Sequence, residues 1–595
     1  MIILGINEGH NASAALMVDG KFVAAVSEER ISRRKNEYGY PERSIDFCLE
    51  YADIRRDQIN KVAIASTSLP PKYFYIKRNA TLNIKDYWRE QKEYWYPRIY
   101  ENKKLKYLDV FRDKIDEEGF IYDKSLIRDE DDSEGMLQAR IKNIQSSLNV
   151  KKEQVSVYDH HTCHAYFGFF SNPDRIQNQL IYVADGFGDG ANGTVWLANP
   201  DSPLKELART NLCNIGRIYR YITLILGMKQ NDHEYKVMGL APYSNDTIGN
   251  DAYNVFAETL QVEGLNFKYK IQPKDHFFYF KEKLEGMRFD GIAYGLQKRT
   301  EELITEWISN GVKQTGVKNI IFCGGVAQNI KANKKVWEMD DVSSIYVPPA
   351  SGDESLAFGA AYYEMAQSTV CEKNFTRKIY SLDKMYLGKE YSDAEIKSIL
   401  DSNAYQNLYS IQKATNESVA ELLSHGNIIA RCCGRMEFGP RALGNRSIIA
   451  DPRRDDVIRV INEMIKQRDF WMPFAPSILE ERASDYLINP KKLKPYFMTI
   501  GFDTTELARK DLKGALHPYD YTARPQIVSK TSNPDYHALL TAFEKITGVG
   551  GVLNTSFNLH GEPIVESPKD ALKTFEKTGL AYLLLGNWLV SKTKK

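Results

Sequence analysis

The sequence predicts an α/β protein in which helices flank a mostly parallel sheet. Three observations support this fold class. Strand-like apolar runs alternate with helical patterns, as at 320–329 and 344–365. A strand, a loop of small residues and a second strand occur at 2–27 and again at 180–198. Such a repeat indicates an internal duplication, and two unrelated hairpins are the alternative.

The elements of the two copies can be assigned in order. Residues 2–6 are apolar, 9–13 are small and polar, and 14–18 and 22–26 flank Asp19-Gly20, which is typical of a two-residue hairpin. In the second copy, the apolar runs 180–184 and 194–198 flank a glycine-rich acidic loop. Two such units facing each other are the arrangement by which actin- and hexokinase-type folds hold a nucleotide.

The chain also shows a domain boundary and an insertion. Residues 70–145 combine many tyrosines and tryptophans with charged side chains, which is typical of a helical insertion over a core or a pocket. The apolar periodicity lapses at 373–386, where we place a linker. A larger domain at 1–372 and a smaller α/β domain at 387–595 are therefore expected.

Composition excludes several classes of protein. The 595 residues carry a net charge of +1, so no basic surplus indicates a nucleic-acid partner. No apolar run approaches the length of a transmembrane helix, and the N-terminus lacks the pattern of a signal peptide. The seven cysteines are scattered, which favours reduced thiols. We expect a cytoplasmic protein without a nucleic-acid or membrane partner.

The histidines suggest a metal site. Three of the ten histidines, His160, His161 and His164, fall within five residues. On a helix, His160 and His164 would lie one turn apart and could ligate one ion. Asp185, after an apolar strand, and Asp353, before a helix, could complete the shell. The alternative is a set of surface or capping histidines.

Two further patterns suggest anion binding. Gly324-Gly325 follows a strand and could cradle a phosphate, although a tightly packed turn would use the same residues. Residues 431–468 contain nine basic and five acidic residues, and the loop 438–447 could fold around an oxyanion. Hydroxyls and amides at 554–558 could bind the same anion. A solvated basic face is the alternative.

Taken together and in this order, the motifs resemble the carbamoyltransferase family that includes nodulation and antibiotic-tailoring O-carbamoyltransferases. The matching segments are 5–11, 27–30, 159–164, 236–241, 323–329, 351–353, 434–446, 466–468, 522–524 and 554–558. The resemblance implies an N-terminal domain of the actin/hexokinase-like (ASKHA) fold, similar to the tRNA threonylcarbamoyladenosine transferase. The C-terminal domain would resemble the twisted-sheet (YrdC-like) synthase of threonylcarbamoyl-adenylate.

The resemblance also implies site residues. Catalytic residues would be His10, Glu8 and Asn11; metal ligands His160, His164, Asp185 and Asp353; nucleotide-binding residues Gly324, Gly325, Val326, Asn329 and Lys236; and carbamoyl phosphate-binding residues Arg441, Lys466, Arg468, Arg524, Asn554, Thr555, Ser556 and Asn558. The ion would be Fe²⁺, although Zn²⁺ and Mn²⁺ also suit this donor set, and Mg²⁺ would accompany ATP.

The chain departs from its relatives at two positions. Met472 stands where many relatives have an arginine, which would remove one phosphate donor. Asn11 stands where relatives often have an aspartate, and Glu8 would be the substitute carboxylate.

The implied reaction has three steps. Carbamoyl phosphate is hydrolysed to carbamate, carbamate attacks ATP to give carbamoyl-adenylate and pyrophosphate, and an acceptor hydroxyl then attacks the adenylate. His10 would act as a base or orient that hydroxyl. The acceptor would be a small molecule, such as a saxitoxin-type alkaloid or an antibiotic, and a second copy of the chain is a candidate partner. Synthesis of tRNA threonylcarbamoyl-adenosine and a non-enzymatic, actin-like ATP-binding regulator are the alternatives.

Overall fold

The computed structural model describes residues 1–200, 202–369, 375–454, 456–466, 469 and 471–592. It divides into two compact units, one formed by 1–32 and 36–382 and the other by 33–35 and 383–595. The break after residue 382 falls inside the predicted linker, of which residues 373–374 lie outside the described ranges. Both units are mixed α/β structures.

The first unit contains two five-stranded sheets with the same strand order. The first sheet consists of β1 (Ile2–Asn7), β2 (Ser13–Val18), β3 (Lys21–Ser27), β4 (Lys61–Ala65) and β5 (Val155–Tyr158), in the order β3-β2-β1-β4-β5. The second begins with β6 (Gln179–Gly188), β7 (Ala191–Ala198) and β8 (Lys205–Thr210). After a separate hairpin of β9 (Leu260–Glu263) and β10 (Asn266–Tyr269), it continues with β11 (Asn319–Cys323) and β12 (Ser344–Tyr346), in the order β12-β11-β6-β7-β8.

Strand directions are also the same in the two sheets. The first three strands of each are antiparallel, and the last two run parallel to the first. This repeated topology is what the predicted duplication requires. The expected mostly parallel sheet is wrong, because short turns join the first strands of each copy. Asp19-Gly20, for example, has φ of 47° and 78° and permits only antiparallel pairing.

Two buried helices form the layer that positions the site. His160–Ser171 packs against β6 and β11, while Leu356–Thr369 packs against β1 and β4, and the two helices also pack against each other. Glycine permits this close approach, since a Cβ on Gly359 would collide with the backbone of Cys163. The loops that precede these two helices therefore meet at one end of the layer.

The remaining helices of the first unit surround this core. They are Glu28–Ser32, Glu42–Tyr51, Pro71–Ile76, Arg78–Thr81, Ile84–Arg89, Tyr96–Tyr100, Tyr107–Val110, Ser133–Leu148, Ile215–Ile225, Glu234–Leu240, Asp246–Ala257, His276–Lys283, Phe289–Thr315 and Ile330–Glu338.

The aromatic insertion lies between β4 and β5, and its buried tyrosines pack against Tyr221 and Leu224 of Ile215–Ile225. Within the described ranges, none of the helices is long and apolar enough to cross a membrane.

The second unit is built on one eight-stranded sheet. Its strands are β13 (Tyr409–Lys413), β14 (Ile429–Cys432), β15 (Arg446–Ala450), β16 (Ala475–Leu479), β17 (Gln526–Val528), β18 (Gly551–Ser556), β19 (Tyr582–Leu585) and β20 (Trp588–Lys592), in the order β13-β20-β19-β14-β15-β18-β16-β17. Its helices are Asp393–Leu400, Asn403–Leu408, Asn416–Ser424, Asp456–Val460, Ala483–Tyr486, Glu506–Asp511, Pro534–Thr547 and Pro568–Glu576.

Candidate functional site

Four side chains of the first unit converge as the histidine spacing predicts. One ligand atom from each of His160, His164, Asp185 and Asp353 lies within 4.8 Å of the corresponding atoms of the others. Nε2 of His160 is 3.3 Å from Oδ2 of Asp185, and Nε2 of His164 is 3.5 Å from Oδ1 of Asp353. The two histidines lie one turn apart because the Asp159 side chain caps the helix that starts at His160.

A glycine turn holds Asp185 in place. β11 ends at Cys323, and Gly324 then adopts a φ of 87°, where a Cβ would collide with the carbonyl oxygen of Ala184. This close approach lets the Gly325 N–H donate to Oδ1 of Asp185 over 2.8 Å. The backbone N–H of Gly325 was expected to bind a nucleotide phosphate. In the structure it binds the carboxylate of Asp185 instead.

The environment of the cluster suits a divalent cation. Burial by itself would lower the pKa of His160, but the negative charges of Asp353 and Asp185 raise this pKa to about 9, so positive charge is favoured here. Among the described residues, neither ring nitrogen of the buried His164 has a hydrogen-bond partner. Two imidazoles and two carboxylates form a donor set for Fe²⁺, Zn²⁺ or Mn²⁺. Ser66 Oγ lies 3.2 Å from Nδ1 of His160, where a hydrogen bond would orient the imidazole toward an ion.

The loop after β1 is tied to the same cluster. Nδ2 of Asn7 is 2.9 Å from the carbonyl oxygens of both His10 and Asp353, so one amide joins the two loops. Asn79 of the insertion donates from Nδ2 to Nδ1 of His10 over 2.8 Å. Burial lowers the pKa of His10, and the charge of Asp353 opposes this shift only in part. The ring is therefore neutral at pH 7.

Two other predicted catalytic residues have different surroundings. Asn11 has a φ of 54°, and its Nδ2 lies 3.5 Å from Oε2 of Glu354. The carboxylate of Glu8 is wholly buried, where it accepts from Arg140 Nε over 2.7 Å and from the Tyr122 hydroxyl over 2.8 Å. Tyr122 and Arg140 therefore bind one oxygen each of a carboxylate that solvent does not reach. The geometry therefore contradicts the expectation that Glu8 replaces a missing catalytic aspartate.

The comparison with known families covers most of the chain. Residues 2–362 match the family model described as Carbamoyltransferase N-terminus, and residues 420–592 match the one described as Carbamoyltransferase C-terminus. The chain belongs to the carbamoyltransferase family. It is thus an enzyme that transfers carbamoyl groups.

Similar proteins extend over the whole length of this carbamoyltransferase. Uncharacterized protein MJ1051 of Methanocaldococcus jannaschii is 31% identical over 614 residues, which cover 100% of both chains. Nodulation protein NolNO of Sinorhizobium fredii is 31% identical over 98% of this chain and 79% of its own. A solved activator of 2-hydroxyisocaproyl-CoA dehydratase from Clostridium difficile, covering 62% of this chain and 97% of its own, has 14% identity and a TM-score of 0.30, too low to carry an argument.

In the second unit of the carbamoyltransferase, the predicted oxyanion loop folds around an internal carboxylate. Oε1 of the buried Glu437 accepts from the backbone N–H groups of Leu443, Asn445 and Arg446 over 2.6, 3.3 and 3.2 Å. The loop thus has the expected geometry, but Glu437 is the anion that it encloses. This carboxylate fixes the backbone on both sides of Arg441.

Several arginines of the basic segment bind the backbone. Arg446 donates to the carbonyl oxygens of Cys433 and Glu566, and Arg435 donates to that of Leu387 over 2.8 Å. Of the predicted anion ligands, Arg441 and Arg524 are half-buried in this unit. The side chain of Lys466 and the whole of Arg468 lie outside the described residues.

The predicted amides and hydroxyls near 554–558 contribute mainly to the loop structure. Nδ2 of Asn554 is 2.9 Å from Ser477 Oγ, and Nδ2 of Asn558 donates to the carbonyl oxygen of Glu562 over 2.7 Å. Thr555 and Ser556 are half-buried on β18, and the Ser556 hydroxyl donates to Oδ1 of Asn558 over 2.7 Å.

The predicted nucleotide-binding residues are dispersed around the second sheet. Asn329 caps Ile330–Glu338 by accepting from the Ala332 N–H over 3.0 Å, Val326 is half-buried in the glycine turn, and Lys236 is buried on Glu234–Leu240. The residues that sequence reasoning missed are Asn7 and Asn79, which place His10. Asn7 lies in the matching segment 5–11 but was assigned no role there, and Asn79 lies in the insertion, outside every matching segment.

Proposed function

We propose that this protein is an ATP-dependent O-carbamoyltransferase. The second unit, of the YrdC-like type, would form carbamoyl-adenylate from carbamoyl phosphate and ATP. The first unit, of the actin/hexokinase-like type, would then transfer the carbamoyl group to a hydroxyl of a small molecule. The observation that carries the proposal is the four-ligand cluster tied to the His10 loop, in a chain of the carbamoyltransferase family.

The first unit offers the groups that such a transfer needs. A divalent cation bound by the two histidines and two aspartates would offset the negative charge of a nucleotide phosphate. Asn7 keeps the backbone of His10 next to that of Asp353, so the ring lies at the edge of the ligand cluster. From there, His10 can bind the acceptor hydroxyl and orient it toward the carbamoyl carbon.

The second unit offers the anion-binding groups for activation. The guanidiniums of Arg441 and Arg524 match the oxygens of a phosphate, and the carboxylate of Glu437 keeps the Arg441 loop in one conformation. Carbamate is a poor acyl donor, whereas its adenylate has AMP as a leaving group. Once carbamoyl phosphate has been hydrolysed to carbamate, adenylation would restore a leaving group before transfer.

The proposal is tested by separating activation from transfer. In the Arg441→Ala variant, we expect pyrophosphate release from ATP and carbamoyl phosphate to fall at least a hundredfold, while supplied carbamoyl-adenylate is still consumed. Arg454→Ala, which removes an exposed arginine paired with Asp456, is the control. Loss or survival of both activities in Arg441→Ala would contradict the assignment to two units. Product formed from threonine and bicarbonate would instead indicate threonylcarbamoyl-adenylate chemistry.

A further inference from the structure

Two arginines of Ile215–Ile225 lie side by side without an acidic partner in the part of the chain that the structure describes. Nη2 of Arg220 donates to the hydroxyl of Tyr221 over 3.1 Å, and the guanidinium of Arg217 lies over the Phe187 ring, 5.6 Å from its centroid. Both Nε atoms are inaccessible to solvent and have no hydrogen-bond partner among the described residues. Within those residues, no carboxylate oxygen lies within 4.0 Å of either guanidinium.

The nearby carboxylates have other partners. Glu90 accepts three hydrogen bonds from Arg78, at 2.7 to 3.1 Å, and Glu234 accepts from the backbone N–H of Asn231 over 2.6 Å. Like charges three residues apart on one helix face repel each other, and the aromatic insertion shields this face from water. At longer range the charges of Glu90 and Glu234 still act on Arg220. Burial and the charge of Arg220 lower the pKa of Arg217, and neither arginine has a carboxylate within 4.0 Å among the described residues.

Neighbouring groups respond to this excess of positive charge. Burial would raise the pKa of Tyr221, but the charges of Arg220 and Arg217 lower it below the ordinary tyrosine value. Burial, with the same two charges, also lowers the pKa of His276 to about 4. In both groups the two arginine charges favour the less positively charged form of the side chain.

The pair is close to the metal cluster. A Cβ on Gly216, the residue before Arg217, would lie 3.4 Å from the backbone oxygen of Asp185. Phe187, under Arg217, follows Asp185 by two residues. An anion bound by Arg217 would therefore belong to a molecule that reaches the metal ligands.

The pair is also connected with His10 through the insertion. The charge of Arg220 lowers the pKa of Tyr87, although burial dominates and raises it to about 12. The Tyr87 hydroxyl donates to Oδ1 of Asn79 over 3.0 Å, and Asn79 contacts His10. The contacts of Tyr87 and Asn79 thus link the surroundings of Arg220 with His10.

We propose that Arg217 and Arg220 bind an oxyanion, a phosphate or carboxylate group, that the hydroxyl acceptor carries. This inference rests on the proposed function. A divalent cation held by His160, His164, Asp185 and Asp353 would provide positive charge for the phosphate of the adenylate, so the arginines would supply a second anion site on the side of the insertion. A cationic acceptor, such as a guanidinium alkaloid, is disfavoured because the two arginines would repel it.

Binding of inorganic phosphate to the full-length, metal-loaded protein tests the site. Calorimetric titration is done in a background of Arg441→Ala with Arg524→Ala, which removes the two described arginines proposed to bind anions in the second unit. We expect Arg217→Gln combined with Arg220→Gln to raise the Kd for phosphate at least tenfold, and Arg220→Lys to restore part of the affinity. Arg288→Gln, at an exposed arginine paired with Asp290, is the control.

Thermal unfolding of each variant is measured in parallel. An unchanged Kd in a double variant with the parental Tm would overturn the site. If the double variant loses cooperative unfolding, the single Arg220→Gln variant takes its place, and an unchanged Kd there has the same meaning.

A second experiment distinguishes the acceptor from the adenylate as the source of the anion. Matched pairs of hydroxyl compounds that differ by one phosphate or carboxylate group are compared as acceptors of supplied carbamoyl-adenylate. We expect at least tenfold higher kcat/KM for the anionic member, and we expect Arg220→Gln to abolish this preference.

Two outcomes would overturn the acceptor assignment. One is a preference for the neutral member of each pair, and the other is an equal loss of AMP and phosphate affinity in Arg220→Gln. If no acceptor is carbamoylated at all, the proposed function fails, whereas the phosphate titration still reports on the site.

Discussion

Asn79 donates a hydrogen bond to Nδ1 of His10, and this contact fixes the tautomer of the histidine. The amide oxygen of Asn79 accepts from the Tyr87 hydroxyl over 3.0 Å and from Nδ2 of Asn231 over 3.3 Å. Turning the Asn79 amide over would place two NH₂ groups face to face. Nδ1 of His10 is therefore the acceptor, and the proton of the neutral ring lies on Nε2. His10 thus presents a donor to a ligand, which favours orientation of the acceptor over its deprotonation.

The Asn79→Asp variant tests this tautomer. An isosteric carboxylate accepts a hydrogen bond from Nδ1–H and leaves a lone pair on Nε2, so we expect carbamoyl transfer from supplied carbamoyl-adenylate to fall at least tenfold. Nitrogen chemical shifts of the labelled ring, assigned with a His10→Gln variant, should report the exchange of the protonated nitrogen. Asn102→Asp, in the same insertion, is the control for added charge. Faster transfer in Asn79→Asp would show that His10 is a base.

Local patterns predicted the elements and the convergence of His160, His164, Asp185 and Asp353 well. The spacing of His160 and His164 is sufficient because a capped helix fixes their separation. Asp185 lies at the irregularity between Ala184 and Gly188 of β6, and the glycine turn follows the end of β11. The predicted strands begin or end within a few residues of the observed ones, because alternating apolar runs and Asp-Gly turns are short-range signals.

Contacts between distant segments could not be predicted in this way. The partner of Glu8 is Arg140, 132 positions away, and Asn79 reaches His10 across 69 positions. Both depend on how the insertion folds over the first sheet, for which the sequence contains no periodic signal. Glu437 was missed for a related reason: the basic excess suggested an external anion, whereas a buried acid of the same loop takes that place.

Removal of one imidazole should remove the metal. His164 is buried and faces Asp353, so His164→Ala leaves at most three ligands, and we expect the metal content measured by mass spectrometry to fall at least tenfold. His161→Gln is the matched control, because His161 is equally buried on the same helix but lies outside the ligand cluster. Equal metal content in the wild type and His164→Ala would contradict the ligand assignment.

The glycine turn after β11 should be required for metal binding. Gly324 and Gly316 both have a positive φ, of 87° and 73°, but of the two only Gly324 is so closely packed that an added Cβ would meet other atoms within 4 Å. Gly316→Ala should cost only the conformational strain of about 1 kcal/mol. Gly324→Ala should cost more, because the Ala184 backbone must move, and should also displace Asp185. Denaturant unfolding and metal content measure both effects, and equal results for the two variants would contradict this role.

Glu437 should control activation but not transfer. Its carboxylate binds three backbone N–H groups of the Arg441 loop, so Glu437→Ala leaves buried donors unsatisfied, at about 1–3 kcal/mol of stability for the group. We expect the KM for carbamoyl phosphate to rise at least tenfold in Glu437→Ala and less in Glu437→Gln, which keeps one acceptor oxygen. Consumption of supplied carbamoyl-adenylate should be unchanged. A parallel loss of both activities would mean that Glu437 supports the fold in general.

The pH dependence of stability should reveal the lowered pKa of His276, to which burial and the cationic pair both contribute. Burial and the charges of Arg217 and Arg220 lower the pKa of His276 from 6.5 to about 4, so the folded state binds this proton less readily than the unfolded state. The contribution of His276 to stability is therefore present above pH 6.5 and is lost as the pH falls toward 4, with a slope of at most about 1.4 kcal/mol per pH unit. His276→Gln cannot titrate and should flatten the unfolding free energy measured between pH 4 and 6.5. Saturating phosphate should flatten the wild-type curve as well, because a bound anion offsets the arginine charges and raises the pKa of His276. Parallel curves for the wild type and His276→Gln would show that the pair does not act on this ring.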